Sequence, residues 1–349
     1  MSNNRVYWAV QAFGLAKLGS STYTEVHGLQ TLGITTTFNL EQVFEIGQLA
    51  IYENIENIPD IEVTLERVID GYPLIYHLAT RGYTANTLSG RSNQRCSAVV
   101  SIFGDTQDSA SGVPVSQVTM SGMYVSAVSY TMPTDGNCTE SVTLVGNNKV
   151  WKTSSYDFQG AIFDNADEPL ALTSGTGGVQ RRENVVFAGA AAALDVNSQA
   201  AATDATILPP DIYGISSSGT NNKVNDVYGA HLSRISVSTD FGRENINELG
   251  RRGPYFRFIN FPVDVTTEIE QITSSGDFVD ALEASVSNLT HRSIRIKLEE
   301  GLFINLGTKN KLSNISYGGA DTGGGQATVT YTYINQNDFI VTHPQDPVA

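Results

Sequence analysis

Leu32-Gly-Ile-Thr-Thr-Thr-Phe-Asn-Leu-Glu-Gln-Val-Phe-Glu-Ile-Gly-Gln-Leu-Ala-Ile-Tyr-Glu-Asn-Ile-Glu-Asn-Ile-Pro59 occurs a second time, altered, as Ile235-Ser-Val-Ser-Thr-Asp-Phe-Gly-Arg-Glu-Asn-Ile-Asn-Glu-Leu-Gly-Arg-Arg-Gly-Pro-Tyr-Phe-Arg-Phe-Ile-Asn-Phe-Pro262. Set without gaps at an offset of 203, eight of 28 positions are identical. Average composition gives about two. A second block, Val125 to Asn148, sits on Leu312 to Asn335 at an offset of 187 with seven of 24 identities. Convergent strand composition predicts alternation, but not matched Gly, Pro and Tyr positions. A duplicated domain with a shorter middle in its second copy explains both blocks.

Within each copy the pattern is that of a β-protein. Leu32 to Phe38 and Ile235 to Phe241 alternate apolar and polar residues, as half-buried strands do. Pro59 and Pro262 precede a further alternating run, Ile61 to Glu66 and Val263 to Ile269, placed where a proline removes no ladder bond. Short helices are expected at Leu74 to Thr80 and at Phe278 to Ser287, the latter with Asp277 and Asp280 in its first turn. Val125 to Met132, the turn Pro133 to Gly136, and Glu140 to Val145 read as a hairpin. Its counterpart is Leu312 to Tyr317, a glycine-rich turn over Gly318 to Gly325, and Ala327 to Tyr333. The fold class expected is mainly β (β-rich α+β): residues 1–152 and 226–349 as two tandem small barrels or sandwiches, each with one short helix. Residues 153–225, with Ala188 to Leu194, Pro209-Pro210 and Ser216 to Asn222, read as an extended connector with one short helix, and their composition also fits a flexible linker.

The chain of 349 residues carries 36 acidic against 21 basic residues, a net charge of −15, which excludes a generally basic nucleic-acid binder. No apolar run is long enough to span a bilayer, and Met1 to Arg5 lack the order of a signal peptide. The two cysteines, Cys96 and Cys138, read as free thiols. Asn137, Asn288 and Asn314 match a glycosylation acceptor by chance.

Catalytic patterns are weak. Asp321-Thr322-Gly323 resembles the motif of pepsin-like proteases, whose two carboxylates share a proton. The aligned position in the first copy is Thr134, so only one lobe would supply an acid. His27, His77, His231, His291 and His343 show no metal-ligand spacing, no G-x-S-x-G occurs, and Gly175 to Gly178 lacks the ending of a phosphate loop. The chain reads as non-enzymatic, with no catalytic, metal or cofactor site and no cofactor.

Charge differs between the copies. Glu41 to Glu66 holds seven acids and no Lys or Arg, whereas Glu244 to Ile269 holds four acids and Arg251, Arg252 and Arg257. Complementary charge on homologous faces suits a head-to-tail contact between copies of one chain. Glu53, Glu56, Arg251, Arg252 and Arg257 are the expected contact residues.

Met123 to Trp151, together with Phe241 to Tyr255 and Phe261 to Thr266, resembles the tail tube proteins of tailed bacteriophages. The resemblance covers about half the chain in four patches and leaves out residues 155–225. It implies a virion structural protein, assembled in the host cytoplasm, whose rings stack into a tube that dsDNA crosses on ejection. Two tube-like domains per chain imply three chains per ring with pseudo-sixfold symmetry; six chains hold only if the second copy faces outwards. Sheath, tape measure and baseplate or tip proteins are the implied partners, with no membrane. The acid excess fits a bore that repels phosphates, with Glu62, Glu66, Asp264 and Glu268 on bore-side strands. Other readings are a tail-tip hub or baseplate ring, and a carbohydrate-binding decoration or fibre module using Tyr255, Tyr331 and Tyr333 as platforms.

Overall fold

A computed structural model describes residues 3–153, 178–187, 205–212, 215, 230–251, 253–274, 276, 277, 279, 290–319, 322 and 325–347. In chain order the first copy contributes β1 (Gln11–Lys17), β2 (Thr24–Glu25), β3 (Leu29–Thr37), β4 (Leu40–Phe44), β5 (Ile51–Glu56), β6 (Asp60–Val68), α1 (Ile75–Ala79), α2 (Leu88–Ser92), β7 (Cys96–Ile102), β8 (Ser116–Pro133), β9 (Thr139–Gly146) and β10 (Asn148–Lys152). The second contributes β11 (Leu232–Asp240), β12 (Arg243–Ile246), β13 (Phe256–Ile259), β14 (Asp264–Ile272), β15 (Arg295–Lys297), β16 (Phe303–Asn305), β17 (Lys311–Gly318), β18 (Thr328–Gln336) and β19 (Ile340–Thr342). The fold is mainly β. All but Val279 of the helix expected at 278–287, the alanine-rich stretch at 188–194, residues 216–222 and Arg252 lie outside the described residues, as do all but Thr322 of Asp321 to Gly323 and all but Gly178 of Gly175 to Gly178.

Eight antiparallel strands run edge to edge in the order β3-β6-β9-β8-β11-β14-β18-β17. The first four belong to one copy and the last four to the other, in matching order. Irregularities match too: β3 has a bulge between Leu29 and Thr31, and β11 has one between Leu232 and Arg234. Likewise β8 slips between Val125 and Ala127, and β17 between Leu312 and Asn314. A bulge re-aims every side chain after it, so coincident bulges keep the faces of the two copies equivalent.

Turns account for two shifts against the ungapped alignment. Ile61 opposes Thr36 while Val265 opposes Thr239, so one residue is inserted after Pro262 and Glu66 corresponds to Glu270. Val142 opposes Val128 while Tyr331 opposes Ile315, so the glycine-rich turn adds two residues. Strand pairing, unlike sequence identity, registers such insertions directly.

The sheet is open in this chain, where separately closed barrels or sandwiches were expected. β8 explains the difference. Its C-terminal half pairs with β9 on one side and β11 on the other, carrying the first copy's sheet into the second. Its N-terminal half, beyond Gly122 at φ +69°, turns into another sheet, ordered β2-β1-β7-β8-β10 and found in the first copy. Sequence alternation had marked only the half from Val125 on. Residues 185–187 and 205–207, within the expected connector, bridge to Leu298, to each other and to Arg295, and so run alongside the three-stranded sheet β15-β16-β19.

One apolar cluster crosses the joint, including Val63, Leu65, Tyr130, Val237, Ile269, Tyr331 and Phe339. Each fully buried aliphatic side chain contributes about 1.5–3 kcal/mol. A one-residue slip between β8 and β11 would turn Ile235 and Val237 outwards, so the seam has one strongly preferred register.

α1 is short and depends on a buried carboxylate. Glu140 accepts hydrogen bonds from the N–H of Ile75 (2.8 Å) and Tyr76 (3.1 Å) and from the Tyr130 hydroxyl (3.0 Å). Opposite it on β6, buried Arg67 donates to the carbonyls of Val68 and Pro73 and to Asp70. Burial raises the Glu140 pKa, and Arg67 with the three donors opposes that rise. The chain's last residues close over α1. Val341 O lies 3.1 Å from His77 Nε2, and Asp346 accepts from the Tyr83 hydroxyl (3.1 Å) and from Arg91.

Glu300, in the turn between β15 and β16, is 1% exposed with neither carboxylate oxygen hydrogen-bonded among the described residues. Burial raises its pKa to about 7.

Two predictions follow from these groups. Glu140→Ala leaves the N–H groups of Ile75 and Tyr76 and the Tyr130 hydroxyl without their acceptor, and should lower stability by about 2–4 kcal/mol in urea denaturation at pH 7. Glu300 binds its proton more tightly folded than unfolded, so its ionisation destabilises the fold as pH rises through the window from about 4.5 to about 7. Glu300→Gln should therefore stabilise the protein by roughly 3 kcal/mol above pH 7 and have little effect below pH 4.5. A gain independent of pH would show that ionisation is not the cause.

Candidate functional site

Alternation gives the eight-stranded sheet two unlike faces. Val63, Leu65, Val128, Tyr130, Val237, Val265, Ile269, Val329 and Tyr331 are buried on one. The other carries hydroxyls and acids. On β6 it presents Glu62, Thr64 and Glu66; on β9, Ser141 and Thr143; on β8, Ser129 and Thr131. β11 continues it with Ser236, Ser238 and Asp240, β14 with Asp264, Thr266, Glu268 and Glu270, and β18 with Thr328, Thr330 and Thr332. The registers align these side chains across the seam, where Ser129 opposes Ser238 and Thr131 opposes Ser236.

All four acids expected on bore-side strands share this face: Glu62 and Glu66 in the first copy, Asp264 and Glu268 in the second. Asp240 and Glu270 join them and had not been singled out. The one-residue insertion hid Glu270, the structural counterpart of Glu66. Arg234 lies between Glu268 (3.5 Å) and Glu270 (3.4 Å) and offsets part of the charge. Where the copies meet, the face holds an open groove of about 590 Å³ whose lining includes Ser129, Ser141, Ser238, Asp240, Asp264 and Thr266. Val128, Phe241, Pro262 and Val263 line it beside these hydroxyls and carboxylates.

The expected contact residues lie on two homologous hairpins. β4–β5 carries Glu53 and Glu56, both exposed, beside Leu40, Phe44 and Tyr52 at 60%, 61% and 63% exposure. β12–β13 and its tip carry Arg251 and Arg257. Arg251 is exposed, 3.3 Å from Glu248, and stacks over Tyr255. Arg257 is spent inside the chain: it is buried and donates to Asp60 (2.6 Å) and Asn147 (3.1 Å) of the first copy. Its charge complementarity with the acidic window is thus already met within one molecule.

Arg243 anchors the same joint. It donates to the carbonyls of Ser92 (2.6 Å), Arg257 (3.0 Å) and Val125, and its guanidinium stacks 4.8 Å from the Tyr124 ring centre. Burial lowers its pKa to about 10. Phe256 packs edge-on against Tyr124 at 5.3 Å. The second copy's hairpin is therefore seated on the first copy; the first copy's hairpin has no such seat among the described residues.

Tyr331 and Tyr333 are fully buried, with the Tyr331 hydroxyl donating to Asp277 O at 3.2 Å. They are core residues, and only Tyr255 of the three suggested platforms is exposed. Cys96 and Cys138 are free and buried, with burial pushing both thiols up to about 12. Among the described residues no group of His, Cys, Asp and Glu could hold a metal ion, and no helix is long and apolar enough to cross a membrane.

No protein-family model matches the chain, and no curated protein matches it. Among solved structures it is similar to a chain of the anti-feeding prophage baseplate, at 14% identity over 44% of this chain and 97% of that one, with a TM-score of 0.32. A chain of the cap that terminates the anti-feeding prophage tube is similar at 10% identity, covering 44% and 95%, with a TM-score of 0.33. A chain of the sheath–tube complex of an extracellular contractile injection system, in its extended state, is similar at 7% identity, covering 43% and 93%, with a TM-score of 0.32.

Proposed function

We propose that this chain is a structural protein of a bacteriophage tail tube, and that its acidic, hydroxyl-rich sheet face lines a conduit for dsDNA. The observation that carries this reading is the face itself. It runs unbroken across both copies, with Glu62, Glu66, Asp240, Asp264, Glu268 and Glu270 spaced by serines and threonines. A basic surface would neutralise phosphates and release counterions, holding DNA tightly. An acidic face repels the duplex, and short hydroxyl side chains offer little for it to grip.

Magnitudes favour three chains per ring. Three eight-stranded sheets make a wall of roughly 24 strands; at about 4.8 Å spacing and about 40° tilt the backbone circle is roughly 48 Å across. Side chains narrow that to a bore suited to one duplex. Six chains contributing both copies would double the width to roughly 96 Å, far more than one duplex needs. The sheath, tape measure and baseplate remain the partners this role requires.

Negative-stain micrographs of the purified protein should show hollow rings of pseudo-sixfold outline stacked into tubes. Isolated short rings would favour a tail-tip or baseplate hub instead, and solid particles would remove both readings. Tubes carrying lysine at 62, 66, 264 and 268 should assemble but retain dsDNA. That retention should weaken with salt, the log–log slope steepening by about 0.9 for each phosphate engaged. Equal DNA retention by the two tubes would remove the lumen role from these residues.

A further inference from the structure

The seam between the copies is a template for what the sheet's two outer edges do. β8 pairs with β11 so that Tyr130 opposes Val237, Ser129 opposes Ser238 and Thr131 opposes Ser236. β17 is the second copy's β8, at an offset of 187, and β3 is the first copy's β11, at an offset of 203; their bulges coincide. The sheet therefore ends in two strands whose homologues already pair at its centre.

Neither end is protected as lone edges usually are. β3, Leu29-Gln-Thr-Leu-Gly-Ile-Thr-Thr-Thr37, has no charge and no proline, and β17 has a single charge, Lys311, at its start. Among the described residues β3 pairs only with β6 and β17 only with β18. Burial shows what is missing: Tyr130 is 0% exposed at the seam, and its homologue Tyr317 is 55% exposed at the edge.

We propose that β17 of one molecule pairs with β3 of a second copy in the seam's register, with Tyr317 opposite Ile34 and Ser316 opposite Thr35. The same operation seats the unpartnered β4–β5 hairpin on the neighbour's second copy, as β12–β13 is seated on the first. There the sequence has changed in step. Phe256 against Tyr124 becomes Glu53 against Lys311, an aromatic contact replaced by an ion pair. Arg243, which stacks on Tyr124, becomes Leu40, so no cation faces Lys311. The junction between molecules is thus recoded against the junction within one, and each end is steered to its own partner. This deepens the tube reading by naming the closing contact, and rests on that reading only for the closure into a ring.

Two measurements test it. Thr35→Cys with Ser316→Cys should give disulfide-linked oligomers on mild oxidation, with Cys96 and Cys138 buried and silent. Either single variant, or Thr35→Cys with Gly318→Cys, should give few. Glu53→Lys and Lys311→Glu should each weaken assembly in sedimentation by about tenfold, and the exchanged pair should recover it. Both side chains are exposed, so folding is not at stake. Failure of the cysteine pair to crosslink in assembled protein, or of the exchange to rescue, overturns the proposal. Hollow rings without the crosslink would leave the tube reading standing; crosslinked oligomers with no hollow would sustain the edge pairing and sink the tube.

Discussion

Everything in this architecture depends on β8 having a different neighbour along each half of its length. Its first half carries a sheet built from β1, β2, β7 and β10; its second half carries the hydroxyl and acid face into β11. Were Ser129 to Met132 to pair elsewhere, the two copies would become separate modules and the continuous face would break at its middle. Burial of Tyr130, Met132, Ile235 and Val237 makes that pairing the low-energy one.

Polar groups placed inward secure the same joint. Glu140, Arg67 and Arg257 are buried and Arg243 is half-buried, and each satisfies groups that only its neighbours in the fold supply. Such charges are poor sources of net stability but good specifiers of arrangement, since a wrong arrangement strands them unpaired. Arg257 on Asp60 and Arg243 on Ser92 fix how the second copy's hairpin lies on the first. Non-polar packing alone would tolerate several angles.

Much of this was legible in the sequence, for a physical reason. Alternation marks a strand with one wet face, and matched Gly, Pro and Tyr mark turns and bends that recur only with the chain path; hence β3 and β11, β6 and β14, and both hairpins were visible. What repeats nowhere stayed hidden: β1, β2, β7, β10 and the first half of β8 have no counterpart to be set against. Strand neighbours are equally invisible, because alternation states which face is wet and never which strand lies beside which. The acids at 62, 66, 264 and 268 were found by parity, whereas Glu270 needed the inserted residue to be seen. Arg257 read as a surface cation because nothing local announces that Asp60 waits for it.

The clasp of Asp346 on Arg91 and Tyr83, and of Val341 on His77, has a consequence for cooperativity. Helices α1 and α2 belong to the first copy, yet groups that satisfy them lie more than 250 residues further along, beyond β18 of the second. Opening the second copy therefore strips buried partners from the first. The two copies melt as one unit, and neither is a free-standing module.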